Sequence, residues 1–248
     1  MLTCGLKSGF DPKKPLSSPT STDSLTMHTF LRILGLLSLL LASSAFANSL
    51  GSEAGTRPSP EAALLLLMEG NQRFVQGAPR HPHQTVDRRT ATASSQTPFA
   101  VILTCADSRL SPEIVFDQGI GDIFVIRNAG NLLSDHVIGS IEYAVEHLHA
   151  PLVVVMGHTR CGAIAAAVAG GEATGKVQSI VTSLAPIVES ARARAGNTAD
   201  QAEKINAKIA ATAVAASQPL LAPAEAAGRL KVVAARYNLE TGAVEWLP

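Results

Sequence analysis

Two short apolar runs, each ending on residues that bind soft metals, constrain this chain more than anything else in it. Phe99 to Leu103 leads into Thr104-Cys105-Ala106-Asp107-Ser108-Arg109, and Leu152 to Met156 leads into Gly157-His158-Thr159-Arg160-Cys161. Runs of this length, apolar throughout and closed by a break, read as strands buried on both faces. Asp122 to Arg127 and Leu230 to Tyr237 read as further strands, and Ala243 to Leu247 is a last short strand after the turn Asn238 to Gly242. Helical sequence separates them. His136 to His149 places Ile138, Ile141, Val145 and Leu148 on one face, and Gly162 to Ala169, Ser179 to Ala195 and Asp200 to Ser217 are rich in small residues. Alternation of strand and helix predicts an α/β fold, a mostly parallel β-sheet flanked by helices. In such sheets ligands bind beyond the carboxyl ends of the strands, which is where Cys105 and His158 fall.

Zinc takes thiolate sulfur and imidazole nitrogen in a tetrahedron, and three protein ligands leave one position open for chemistry. Cys105, His158 and Cys161 supply such a set. His158 and Cys161 are three residues apart, so a turn entering a helix can aim both inward, and a helix start favours the Cys161 thiolate. Asp107 and Arg109 are two apart and in extended backbone face the same side, where they can form a forked pair. A paired Asp107 stays ionised beside the metal. An unpaired Asp107 can take the fourth position, which would make the site a closed, structural one. Spacing alone leaves both arrangements open. A disulfide between Cys105 and Cys161 is disfavoured, because both stand where metal ligands should stand.

The front of the chain differs from the rest. Met27 to Arg32 is a short basic lead, Ile33 to Ala42 is apolar, and Ala45-Phe46-Ala47 is a small-x-small cleavage site. That is the layout of a secretory signal peptide, and the apolar run is too short to span a bilayer comfortably. Residues 1–26 are polar and rich in Ser, Thr and Pro, so Met27 is an alternative start. Cleavage near Ala47 leaves 201 of the 248 residues, with 16 of 20 basic and 18 of 20 acidic side chains. Near-neutral charge, without a basic stripe interleaved with aromatics, argues against nucleic acid as a partner. The expected organisation is a signal peptide over 1–47, an N-terminal arm and helix over 48–95, and a catalytic α/β zinc domain over 96–248. Within the arm, Ser59-Pro60-Glu61 opens a helix, since Ser59 can cap it and Pro60 fits its first position. Leu64, Leu65, Leu67, Met68 and Phe74 supply its apolar stripe, and Gly77-Ala78-Pro79 ends it. His81-Pro82-His83 reads as a solvated loop rather than a metal site.

Together the motifs resemble a β-class carbonic anhydrase, bacterial and exported, over Pro58 to the C-terminus. The resemblance rests on Cys105-Ala106-Asp107-Ser108-Arg109, on Asp122 to Asn131, on Ile141-Glu142-Tyr143-Ala144-Val145 and on Gly157 to Gly162. The family more often has Ser where Ala106 stands. The resemblance implies one Zn2+ per subunit on Cys105, His158 and Cys161, with Asp107 and Arg109 as the catalytic dyad. It implies a substrate pocket of Gln96, Phe124, Ala129 and Tyr143, with Tyr143 supplied by a neighbouring subunit. The implied reaction is reversible hydration of carbon dioxide to bicarbonate and a proton, by attack of zinc-bound hydroxide. The implied state is a homodimer or a dimer of dimers, periplasmic or secreted, with no membrane association after signal cleavage. The rivals are hydrolysis of carbon disulfide or carbonyl sulfide, and a purely structural zinc module.

Overall fold

Alternation of side chains along the central strands sets the layers of the molecule. The structure, a computed structural model, describes residues 57–248, so the signal peptide and residues 48–56 of the expected arm lie outside the described residues. Strand β1 (Ala100–Cys105) pairs in parallel with β2 (Ile123–Asn128) on one side and β3 (Leu152–His158) on the other. Next to β3, also parallel, comes β4 (Lys231–Tyr237), and β5 (Val244–Leu247) closes that edge antiparallel to it. The spatial order is β2-β1-β3-β4-β5. Both β1 and β3 are buried at every position, as unbroken apolar runs in a parallel sheet should be.

Val101, Leu103, Val153 and Val155 point into one layer. There they meet α4 (Asp135–Glu146), α7 (Thr198–Ala215) and α8 (Leu221–Ala226). Ala100, Ile102, Leu152, Val154 and Met156 point into the other, against α1 (Pro60–Val75) and the end of α3 (Pro112–Val115). Phe116 stacks there on Trp246, ring centroids 6.2 Å apart. A third cluster covers the carboxyl ends of the strands, where α5 (Gly162–Ala169) and α6 (Val177–Arg192) pack around Cys105 and Cys161. The expected fold class is observed. The strands that end on ligands run slightly further than the hydrophobicity indicated, β1 to Cys105 and β3 to His158 itself. Among the described residues no helix is long and apolar enough to cross a membrane.

Three short helices were not legible in the hydrophobic pattern: α2 (Val86–Ala91), α3 and α8. Their signals are local caps: the Thr85 hydroxyl accepts from the Arg88 amide at 3.1 Å, and Pro112 stands in the first turn of α3. The start of α1 is as expected, with Ser59 Oγ accepting from the Ala62 amide at 3.2 Å. Its apolar stripe is not. Ala63 and Leu67 are buried and Leu64 and Phe74 partly so, but Leu65, Leu66 and Met68 remain 55, 41 and 40% exposed. Four leucines in a row occupy the whole circumference of a helix, and one sheet can cover only one side of it.

Two carboxylates fasten the segment before β1 to the domain. Asp117, in a left-handed conformation (φ 47°), accepts from Arg73 Nε at 2.6 Å and from the main-chain amides of Arg80 and His81. Asp122 accepts from the Gly119 amide at 2.8 Å, from Arg88, and pairs with His83 Nδ1 at 2.7 Å. His83 is therefore tied to a carboxylate through its ring.

Burial alone would raise the Asp117 carboxyl. The Arg80 amide, the Arg73 guanidinium and the His81 amide outweigh it and hold the group below the ordinary carboxylate range. A group depressed on folding contributes stability that is complete above its unfolded pKa, about 4, and is lost as the pH falls through its lower folded value. Asp117→Asn is therefore expected to lose about 3 kcal/mol at pH 7, the cost of leaving a buried charge network half-made. The deficit should shrink as the pH is lowered towards 3. Urea-unfolding midpoints of both proteins between pH 7 and pH 3 measure this, and a deficit that does not change with pH would refute the assignment.

Candidate metal centre

β1 and β3 are neighbours in parallel register, Thr104 opposite Met156, so their carboxyl ends lie side by side. Cys105 is the last residue of β1 and His158 the last of β3. Cys161 caps the N-terminus of α5, three residues beyond His158. All three are buried, 5, 1 and 3% exposed, and their ligand atoms lie within 4.8 Å of one another. Zinc with bonds of about 2.3 Å to sulfur and 2.0 Å to nitrogen holds such atoms roughly 3.6–3.8 Å apart.

The donor chemistry gives a stronger test than the distances. His158 Nδ1 donates to the Thr159 carbonyl at 2.9 Å, which fixes the ring and turns the Nε2 lone pair inward. That Nε2 is buried and has no hydrogen-bond partner. Buried polar atoms are nearly always satisfied, and an imidazole nitrogen without a partner beside two thiols is the arrangement a cation would complete. Cys161, with His158 and the Gly130 amide, draws the Cys105 thiol beside it well below its usual range despite burial. Cys105, together with burial, pushes the Cys161 thiol well above its usual range, although the Ala163 and Ile164 amides act in the opposite direction. Burial disfavours charge on His158, but the Cys105 thiolate outweighs it and the net direction is upward. A shared divalent ion would replace the thiol protons and take the His158 Nε2 lone pair. The residues present fit zinc.

Asp107 stands beside this set. Its Oδ1 accepts from Arg109 Nε at 2.9 Å and from the Arg109 amide at 3.0 Å, while Oδ2 accepts from Arg109 Nη2 at 2.7 Å. This is the forked arrangement, and the carboxylate lies outside the three-ligand group. Of the two arrangements open from spacing, the structure has the paired one. Oδ2 is 3.9 Å from His158 Nε2, and the Asp107 side chain is 15% exposed. The Arg109 side-chain hydrogen bonds, despite burial, hold Asp107 far below the usual carboxylate range.

The pocket residues divide. Ala129 adjoins Gly130, whose amide donates to Cys105 Sγ at 3.4 Å. Gln96 is exposed in the segment between α2 and β1. Phe124 pairs in register with Val101, four residues before Cys105 and so about 13 Å along the strand. It packs against Tyr143 of α4, centroids 6.4 Å apart, and Tyr143 is 48% exposed. Within one chain these two aromatic residues do not line the centre.

Several residues around the centre were not found by sequence reasoning. Arg127 donates to the Cys105 carbonyl at 3.1 Å and to the Asp107 carbonyl at 2.7 Å, fixing the loop that carries the dyad. Glu203 and Asn206 are buried on α7, and Arg236 is buried on β4. Arg236 pairs with Glu203 at 2.7 Å and also with Asp200. A visible signal existed only for the arginines, each a charge at the end of an apolar strand and in need of a partner.

Residues 100–244 match the family model described as carbonic anhydrase. Carbonic anhydrase 2 of Mycobacterium tuberculosis is 43% identical over 188 residues, covering 74% of this chain and 91% of that protein. The carbonic anhydrase of Mycolicibacterium smegmatis is 39% identical over 191 residues, 75% of this chain and 93% of that protein. Among solved structures, a tetrameric β-carbonic anhydrase of Sordaria macrospora superposes with a TM-score of 0.59 at 26% identity, covering 64% of this chain and 85% of its own. A β-carbonic anhydrase of Aspergillus fumigatus gives 0.59 at 27% identity, over 75% of this chain and 89% of its own. A parallel sheet with buried cysteine and histidine at adjacent strand ends, an arginine-clamped aspartate beside them and this degree of likeness agree: the chain belongs to the carbonic anhydrase family and is an enzyme of its β class.

Proposed function

We propose that this chain hydrates carbon dioxide reversibly to bicarbonate and a proton, with zinc held by Cys105, His158 and Cys161. The observation that carries the reading is the buried, partnerless His158 Nε2 facing two thiols, with the Arg109-clamped carboxylate of Asp107 3.9 Å from it. Zinc at such a site supplies a Lewis acid that makes water acidic near neutral pH. The rest is done by the chain. Thr159 orients the His158 ring through Nδ1. Arg109 occupies both oxygens of Asp107, keeping it ionised and fixed. An ionised, immobile Oδ2 accepts a hydrogen bond and sets the direction of the donor's remaining lone pairs, which orients a nucleophile. Arg127 holds the Cys105 and Asp107 carbonyls, so ligand and dyad keep one geometry.

The active unit in this reading is at least a dimer. Phe124 and Tyr143 can serve a pocket only in a second copy, together with Gln96, and the exposed leucines of α1 supply an apolar face for that contact. The family likeness supports the same assembly, since the Sordaria macrospora relative is described as tetrameric. We also propose export, on the signal-peptide layout of residues 27–47.

Cys105→Ser and His158→Ala are each expected to lose stoichiometric zinc and carbon dioxide hydration together; full turnover in verified metal-free protein would end the proposal. Asp107→Ala is expected to keep zinc and lose at least about a hundredfold in kcat, measured by stopped-flow hydration with parallel metal analysis. Sedimentation should give a dimer or larger, and Tyr143→Ala should lower turnover despite its distance from the same chain's centre. A fully active monomer would refute the shared pocket. Protein recovered from the periplasmic or secreted fraction should begin near Asn48 by intact mass, and an unprocessed chain confined to the cytoplasm would refute export.

A further inference from the structure

Helix α7 lies almost a hundred residues beyond Cys105 in the sequence and contributes no ligand, yet it reaches the centre. Its Asn206 is buried, 6% exposed, and donates through Nδ2 to the Gly130 carbonyl at 2.8 Å. Gly130 in turn donates its amide to Cys105 Sγ at 3.4 Å. Gly130 has φ +77°, a conformation that glycine adopts at little cost. Its carbonyl and amide therefore serve two different partners, one on α7 and one on the ligand. Asn128 closes the same turn, accepting from the Leu132 amide at 2.7 Å and donating to the Leu132 carbonyl at 2.8 Å.

The position of α7 is itself determined. Glu203, one turn before Asn206, is salt-bridged to Arg236 on β4 and accepts from the Cys161 amide at 3.3 Å. The helix comes so close to β3 that a Cβ at Gly157 would lie 3.2 Å from the Glu203 carbonyl oxygen. Helix, strand end and loop are thus locked together immediately behind the two sulfurs.

We propose that Asn206 is a positioning residue of the metal centre, holding the Gly130 turn so that its amide hydrogen-bonds the Cys105 sulfur. The inference rests on the metal reading above. A hydrogen bond to a thiolate draws charge from sulfur and fixes its direction, and outer partners of this kind typically change metal affinity by about ten- to a hundredfold when removed. Asn206→Leu keeps the volume and removes the donor. Asn206→Asp keeps the shape and sets an acceptor against the Gly130 carbonyl. Val214→Ala, a buried truncation elsewhere on α7, serves as the control for general loosening of the helix.

Zinc affinity is measured for the four proteins by competition with a chromophoric chelator. The sulfur-to-metal charge-transfer band is measured on cobalt-substituted samples, and melting curves establish that each protein is folded. Both Asn206 variants, or whichever of them folds, should bind zinc about ten- to a hundredfold more weakly with a shifted band. Val214→Ala should lower the melting temperature and leave affinity and band unchanged. An Asn206 variant that binds zinc like the wild type with the same band overturns the proposal, as does a Val214→Ala protein that reproduces the loss. A wild-type protein that takes up no zinc overturns the metal reading, and this proposal with it.

Discussion

Burial of two thiols and an imidazole at the end of one sheet is the constraint on which the rest of the structure depends. Each of these groups is ordinarily compatible with a core only when its polar atom has a partner. Here the Cys105 and Cys161 sulfurs lie close together, and the His158 Nε2 beside them has no hydrogen-bond partner. The zinc proposed for this site would resolve all three at once. The sheet makes this possible by running β1 and β3 parallel and in register, so that both strands leave the core on the same side. An antiparallel pair would have put the two ligands at opposite ends.

Around that centre the molecule separates chemistry from support. The catalytic pair of the proposed reaction, Asp107 and Arg109, comes from the loop directly after β1, close in sequence to Cys105. The residues that hold the loops of the centre come from elsewhere: Arg127 from β2, Asn206 and Glu203 from α7, Arg236 from β4. The two aspartates that fasten α1 and α2 against the α3–β2 loop, Asp117 and Asp122, do the same for the segment before β1. A loop free to move would lose the alignment of Asp107, so the long-range hydrogen bonds follow from the chemistry the short loop must carry.

The Cys105, His158 and Cys161 cluster, the Asp107–Arg109 pair and the sheet are legible because each has a local signature. Cys105 and His158 follow unbroken apolar runs, Cys161 keeps a three-residue spacing, and Asp107 and Arg109 keep a two-residue one. What escaped was non-local or too short for periodicity. Helices α2, α3 and α8 have four to six residues each, less than two turns, so no stripe can repeat. Asn206 and Glu203 sit in an alanine-rich helix where a polar side chain is ordinarily taken to face water, and only the close approach over Gly157 reveals that they do not. The apolar run of α1 suggests one stripe, yet leucines at four consecutive positions necessarily face several directions. The residues that one sheet leaves exposed, Leu65, Leu66 and Met68, lie on the surface that the proposed second copy would cover.

Charge explains why the supporting residues take the form they do. A dication balanced by two thiolates carries no net charge, so it polarises water less than a dication held by three neutral imidazoles. Whatever draws electron density from sulfur restores part of that power, and the Gly130 amide is aimed at Cys105 Sγ. In the proposed reaction the nucleophile must also be oriented, which Asp107 would do as an anion held away from the metal. Arg109 meets both demands with one fork, since it lowers the carboxyl's affinity for a proton and occupies the lone pairs that would otherwise ligate. Replacing it with a lysine would keep the charge but lose the second hydrogen bond. An aspartate so released would be free to swing onto the fourth position and close the site.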